Sequence, residues 1–391
     1  MKSFWMSEAC DLGPDPASGA MITRLTSAVM SNINIYCEQP YTNPAGTRIA
    51  IMRSPYADPR IPPYELCVID LATLKLITIE KGCISNFIAT SGWSGILYYL
   101  DASSRLIKLS IDSLEKKILL DHWPMPDHFV LHSASPNGSY LVGTINDENF
   151  MSSIVRFDLS SGTFKKIFEH QEILTHLQIN PVSGNHILVQ INRGCQMNNL
   201  HEVRPLPKNK STGTGATHAI IDIDGGNYRP LPIGEPITIS SSGHSAWIAN
   251  SGCIGLTTHF LDMAHIGSLD KRFPTGNFFV VSPDEKQPRV FHAPLHRFNH
   301  VSISRCGKYF VCDSYCNGIP GAIPLVIGNI KSGKCRAVIS NCGSQGGGPA
   351  CSHPHPYLTA DNRHIIYNAD PYHVCHVYKA LIPDEFYESI E

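Results

Sequence analysis

Apolar residues in this chain gather in short runs rich in Val, Ile, Tyr and Phe, and Gly, Pro, Asn or Asp interrupts almost every run. The 3.6-residue spacing of an amphipathic helix is almost absent, so the pattern predicts strands throughout. A turn followed by an apolar strand recurs as NPAGTRIAIM, GWSGILYYL, SPNGSYLVGT, NPVSGNHILVQ, NSGCIGLTT, SRCGKYFVCD and TADNRHIIYNAD. Between the strand centres Ile51, Leu97, Tyr140, Ile187, Ile254, Tyr309 and Ile365 the steps are 46, 43, 47, 67, 55 and 56 residues. Most units carry a second signal, as in CVIDLATLKLITI, LSIDSLEKKILL, VRFDLSSGTFKKIF and VIGNIKSGKCRAVI. Each is a strand, a polar turn and a second strand, with turn residues that supply positive φ and side-chain caps.

Seven such units, each with about four strands, predict an all-β fold, a seven-bladed β-propeller. One domain is expected over residues 1–391, with the ring from 20 to 382 and a short tail at each end. To close it, MITRLTS (21–27) is expected to pair beside HVCHVYKALI (373–382). The longer units leave room for insertions at 204–218 and 259–277, where loops carry function.

Composition narrows the classes. Hydrophobic residues make up 42% and charged residues 16%, which suits a well-buried globular chain. A formal charge of −2 offers no general basic field for nucleic acid or an anionic membrane. An acidic ligand would therefore need a local cationic site. The thirteen cysteines contain no C-x-x-C pair, and each reads as a small buried hydrophobe. The start, MKSFWMSEACDLGPDP, has no signal-peptide run, and no stretch of 18 apolar residues occurs. A soluble, cytoplasmic protein is expected.

Polar side chains sit just ahead of the inner strands, where a propeller gathers them near its axis. Gln39 lies four residues before NPAG, His132 three before SPNG, and His176 four before NPVSG. His300 lies four before SRCG, His355 four before TADN, and His244 six before NSG. In an extended His353-Pro354-His355 segment the two imidazoles would point to one side. With His300 they make a three-histidine set suited to a divalent transition metal. His244 is the candidate general base. Trp247 beside it would wall a pocket or fill the space between sheets. Arg193, in QINRGCQ, is a candidate fork for a substrate carboxylate, or a structural cation.

Taken in order, NIYCEQPYTNPAGTRIA, INRG, DIDGGNYRPLP, GHSAWI, FNHVSISRCGKYFVCD and SHPHPYLTADNRHIIYNAD resemble the oligogalacturonate lyase family of seven-bladed propellers over roughly residues 20–380. The resemblance implies β-elimination on short acidic oligosaccharides with a divalent metal, typically manganese, with calcium and zinc as alternatives. It implies His300, His353 and His355 as metal ligands, His244 as catalytic base and Arg193 facing the substrate. The family has a glutamine three residues before the first histidine of H-P-H. Ala350 stands there in this chain.

The chemistry asked of these residues is removal of the weakly acidic C5 proton of a uronate. A carboxylate-bound cation and an arginine would spread the developing charge, His244 would take the proton, and the C4 oxygen would leave. A water or a tyrosine such as Tyr36 or Tyr41 would protonate the leaving group. Two alternatives stay open: a uronate lyase on another acidic glycan, such as one containing glucuronate, and a non-catalytic propeller that binds partners through one face. A glycoside hydrolase would want paired carboxylates at the centre, and a serine hydrolase a G-x-S-x-G elbow; neither pattern is present.

Overall fold

A computed structural model describes residues 4–59, 61–84, 88–126, 128–249, 251–258, 277–293, 295–315, 321–347 and 353–391. The expected insertion at 259–277, except Asn277, lies outside them, as does Ala350. Among the described residues no helix is long and apolar enough to cross a membrane. The chain divides into two units, one of Met1–Asn86, Gly92–His122 and Leu295–Glu391, the other of Phe87–Ser91 and Trp123–Pro294.

The first unit holds three sheets of four or five antiparallel strands. One runs from Ser31–Ile33 through Arg48–Ser54, Tyr64–Asp70 and Lys75–Cys83 to Met6–Ser7. Another comprises Phe298–Ile303, Tyr309–Ser314, Leu325–Asn329 and Cys335–Ile339. The third joins the two ends of the chain: Met21–Arg24 pairs with His376–Leu381, matching Met21 to Leu381 and Arg24 to Tyr378. This is the closure expected from MITRLTS. A short helix, Asp384–Glu388, follows and buries Phe386.

In the second unit, Ile173–Ile179 leads one four-stranded sheet and Ser245–Ile248 another. Among the described residues five sheets of this kind are thus separate, against the seven expected. The departure falls at the second and third expected repeats. Ala89–Thr90, a short strand ahead of the second expected unit, pairs in parallel with Val130–Ala134 of the third. Residues 96–120 form a meander of Ile96–Leu100, Leu106–Ser110 and Lys116–Leu120.

The repeated turn has a common chemistry. Asn43, Ser135, Asn180, Ser304 and Thr359 each accept main-chain N–H groups of the turn that follows, for example Thr47 N–H on Asn43 Oδ1 at 2.8 Å and Tyr309 N–H on Ser304 Oγ at 3.0 Å. Gly46, Gly138, Gly184 and Gly307 then take φ near +70°, which glycine adopts without steric cost. Asn362 fills that place in TADN, at φ +59°. The strands between turns bury alternate apolar residues against the neighbouring sheet. Val311, Leu325 and Ile327 pack with Ile365, Tyr367 and Tyr378 in the first unit. Leu188, Ile220, Trp247, Ile254 and Phe279 do so in the second. Trp247 therefore fills the space between sheets, with its indole N–H donating to Gln178 O at 3.0 Å.

Candidate functional site

Three of the polar positions, His132, His176 and His300, share a backbone irregularity. The pairing of Phe298–Ile303 with its neighbour slips between Phe298 and Val301, so His300 lies in a bulge. His132 lies in a bulge between Leu131 and Ser133, and His176 in one between Thr175 and Gln178. A bulge turns a side chain out of strict alternation and is common beside functional sites. His176 and His355 go further, with φ of +50° and +43°. Left-handed backbone at a non-glycine residue costs about 1–2 kcal/mol, so the surroundings must hold it.

In the first unit those surroundings are visible. Asn34 donates its amide to His355 O at 2.7 Å, and Asn368 donates to His353 O at 3.1 Å. The Asn368 main-chain N–H binds Pro354 O at 2.8 Å, while its Oδ1 accepts Asn34 N–H at 2.8 Å. Every carbonyl of His353-Pro354-His355 is thus engaged by one asparagine pair. The extended conformation expected for this segment does not occur, because these bonds hold His355 in the left-handed region. The rings still come together. Centroids lie 4.3 Å apart for His300 and His355, 5.0 Å for His300 and His353, and 5.7 Å for His353 and His355.

Supporting groups surround the three rings. His300 is 4% exposed, and its Nδ1 lies 2.7 Å from Asp313 Oδ2. His353 Nδ1 meets the Tyr315 hydroxyl at 2.8 Å. Gly347, at φ +111°, comes so close that a Cβ there would lie 3.2 Å from the His353 ring. This explains part of the glycine run before H-P-H. The Tyr36 ring lies 4.6 Å from that of His355. Burial, then the charges of Glu38, Cys37 and Asp313, push its phenol well above the ordinary tyrosine value, so it remains protonated at neutral pH. Asp313, Asn34, Asn368 and Tyr315 escaped the sequence reading. The only signal was polarity inside otherwise apolar strands, as in FVCDS and IIYNAD.

His244 lies in the second unit at the start of Ser245–Ile248, partly exposed, with its ring edge-on to His176 at 5.7 Å. Its carbonyl accepts Thr257 N–H at 3.2 Å. Gln178 donates to Ser245 O at 2.7 Å, tying the His176 bulge to the strand that follows His244.

Arg193 departs from the substrate-facing position expected of it. It is 7% exposed, and its guanidinium donates to Thr214 O at 2.7 Å, Glu235 O at 3.0 Å and Gly215 O at 3.3 Å. Beside it Glu172 accepts from Thr212 Oγ1 at 2.6 Å, Gly194 N–H at 2.9 Å, Thr212 N–H at 3.0 Å and Ser211 Oγ at 3.1 Å. Burial alone would raise the Glu172 carboxyl, but these donors bring it below its ordinary value. Together the two residues clamp the 211–215 segment. Arg193→Ala is expected to destabilise the protein by about 3 kcal/mol, since it leaves buried carbonyls unpaired. Urea denaturation of the variant checks this. Unchanged stability with lost turnover would return Arg193 to a substrate role.

No protein-family model matches the chain, and no curated protein sequence matches it. Solved structures do. An oligogalacturonate lyase in complex with manganese superposes with a TM-score of 0.70 at 18% identity, over 98% of this chain and 100% of that one. An oligogalacturonate lyase from Vibrio parahaemolyticus gives 0.70 at 15% identity, over 99% and 100%. The β-propeller domain of the Trilobed protease from Pyrococcus furiosus gives 0.50 at 11%, over 88% and 94%. The fold is all-β, of the β-propeller class. Within that class the structure resembles the oligogalacturonate lyases.

Proposed function

We propose that this protein is a polysaccharide lyase that cleaves short uronate-containing oligosaccharides, of the oligogalacturonate kind, by metal-assisted β-elimination, on a single β-propeller domain. One observation carries the reading: His300, His353 and His355 adjoin with centroid separations of 4.3–5.7 Å. The full-length likeness to two oligogalacturonate lyases, one bound to manganese, supports it. Three imidazoles suit a borderline divalent cation, and Asn34 and Asn368 hold the carbonyls of the segment that carries two of them. When bound, such a cation supplies Lewis acidity toward a substrate carboxylate. We take manganese as the metal. The exposed free thiols Cys10 and Cys306 fit a reducing compartment, with the cytoplasm as the proposed location.

The chain's own residues have two proton tasks. His244, as the base, takes the C5 proton, and the electron pair released forms the C4–C5 double bond as the C4–O bond breaks. The departing oxygen needs a proton, which a water or a tyrosine such as Tyr36 or Tyr41 would supply. The products are a 4,5-unsaturated uronate and a shortened sugar with a free hydroxyl. Incubation of the full chain with manganese and oligogalacturonate should raise ultraviolet absorbance from the unsaturated uronate. No rise with that substrate or with glucuronate-containing oligosaccharides would sink the proposal.

A further inference from the structure

We infer that Asp313 is a positioning residue for His300, fixing which ring nitrogen is presented to the metal. The inference rests on the metal reading above and deepens it. Asp313 lies in Tyr309–Ser314, the strand that pairs with the bulged Phe298–Ile303. Its side chain is 0% exposed, and both oxygens meet His300. Oδ1 accepts the main-chain N–H of His300 at 2.7 Å, and Oδ2 lies 2.7 Å from His300 Nδ1.

The bulge makes this two-point grip possible. In a regular ladder the His300 N–H would face a strand carbonyl; displaced by the bulge, it faces a side chain instead. With the backbone and the ring both anchored to one carboxylate, the imidazole cannot flip without setting a carbon where Nδ1 now sits. The tautomer follows. Oδ1 accepts the main-chain N–H and Oδ2 faces Nδ1 as an acceptor, so Nδ1 carries the hydrogen and Nε2 the lone pair. The Asn299 amide also approaches Nδ1, at 3.2 Å, but the charged contact at 2.7 Å is the stronger of the two. Nε2 lies across the ring from Asp313. A carboxylate behind a ligating histidine is the usual way a protein orients such a ligand and raises its basicity.

His353 and His355 are supported separately, through main-chain carbonyls held by Asn368 and Asn34. Asp313 grips His300, the ligand that comes from a different sheet.

The test uses the full chain, first without metal and then with manganese(II). Long-range nitrogen–proton correlation on protein labelled at histidine reads each ring's tautomer, and a His300→Gln sample assigns the signal. The expected result is a wild-type His300 ring protonated at Nδ1, and a manganese Kd raised about 10- to 100-fold by Asp313→Asn, measured by calorimetry. A wild-type ring protonated at Nε2 overturns the inference. So does an Asp313→Asn protein that folds and binds manganese as tightly as the wild type. The tautomer measurement needs no variant, so it decides even where Asp313→Asn does not fold. Wild-type protein that takes up no manganese overturns the metal reading itself. That result is distinct from equal uptake by both proteins, which is the failure of Asp313 alone.

Discussion

Replacing His353 and His355 together by alanine is expected to abolish stoichiometric manganese binding and all turnover, while the protein stays folded. Asn34 and Asn368 grip the carbonyls of this segment rather than its rings. The main chain therefore keeps its course when both imidazoles go. Left-handed backbone at residue 355 is already borne by histidine, so alanine there adds little strain. What vanishes is two of three nitrogen donors, and a single imidazole does not hold a first-row cation at micromolar concentration. Elemental analysis beside a thermal unfolding curve reads both halves of the result. One equivalent of manganese retained by the double variant would remove the histidine trio from the metal reading.

His244→Ala should separate the two halves of the chemistry. Turnover is expected to fall by about 10²–10⁴-fold or more, the range general bases contribute, with manganese content unchanged. The residue holds its place through its carbonyl and Thr257 N–H, which alanine preserves. Initial rates of unsaturated-uronate formation, with metal content measured on the same samples, test it. Full activity would strip His244 of its role and leave His176, whose ring is its edge-on neighbour, as the next base to examine.

The two outcomes together distinguish a catalyst from a binding propeller. A scaffold would lose neither metal nor turnover in these variants, having none to lose. A lyase should lose both with the first and only turnover with the second.

Much of this was open to a reader of the residues alone. The turn motifs repeat because an Asn, Ser or Thr cap and a residue tolerant of positive φ are local requirements, met within five residues of chain. Alternation of apolar side chains likewise depends only on the pleat. Strands, turns and the polar positions ahead of the inner strands were all legible for that reason, and the pairing of Met21–Arg24 with His376–Leu381 followed from closing the series. Long-range contacts lay beyond such reading. Arg193 read as a candidate for the substrate until the 213–215 and 234–235 segments, twenty to forty residues further on, folded their carbonyls around it. The second and third repeats read as separate sheets, yet Ala89–Thr90 joins Val130–Ala134. Asp313 was one more acid in a strand until a slipped register set it against His300. Local periodicity is written in neighbouring residues, where a short segment states its own preference. Which side chains finally meet depends on registers and bulges between segments far apart in the chain, and only the folded protein chooses among those.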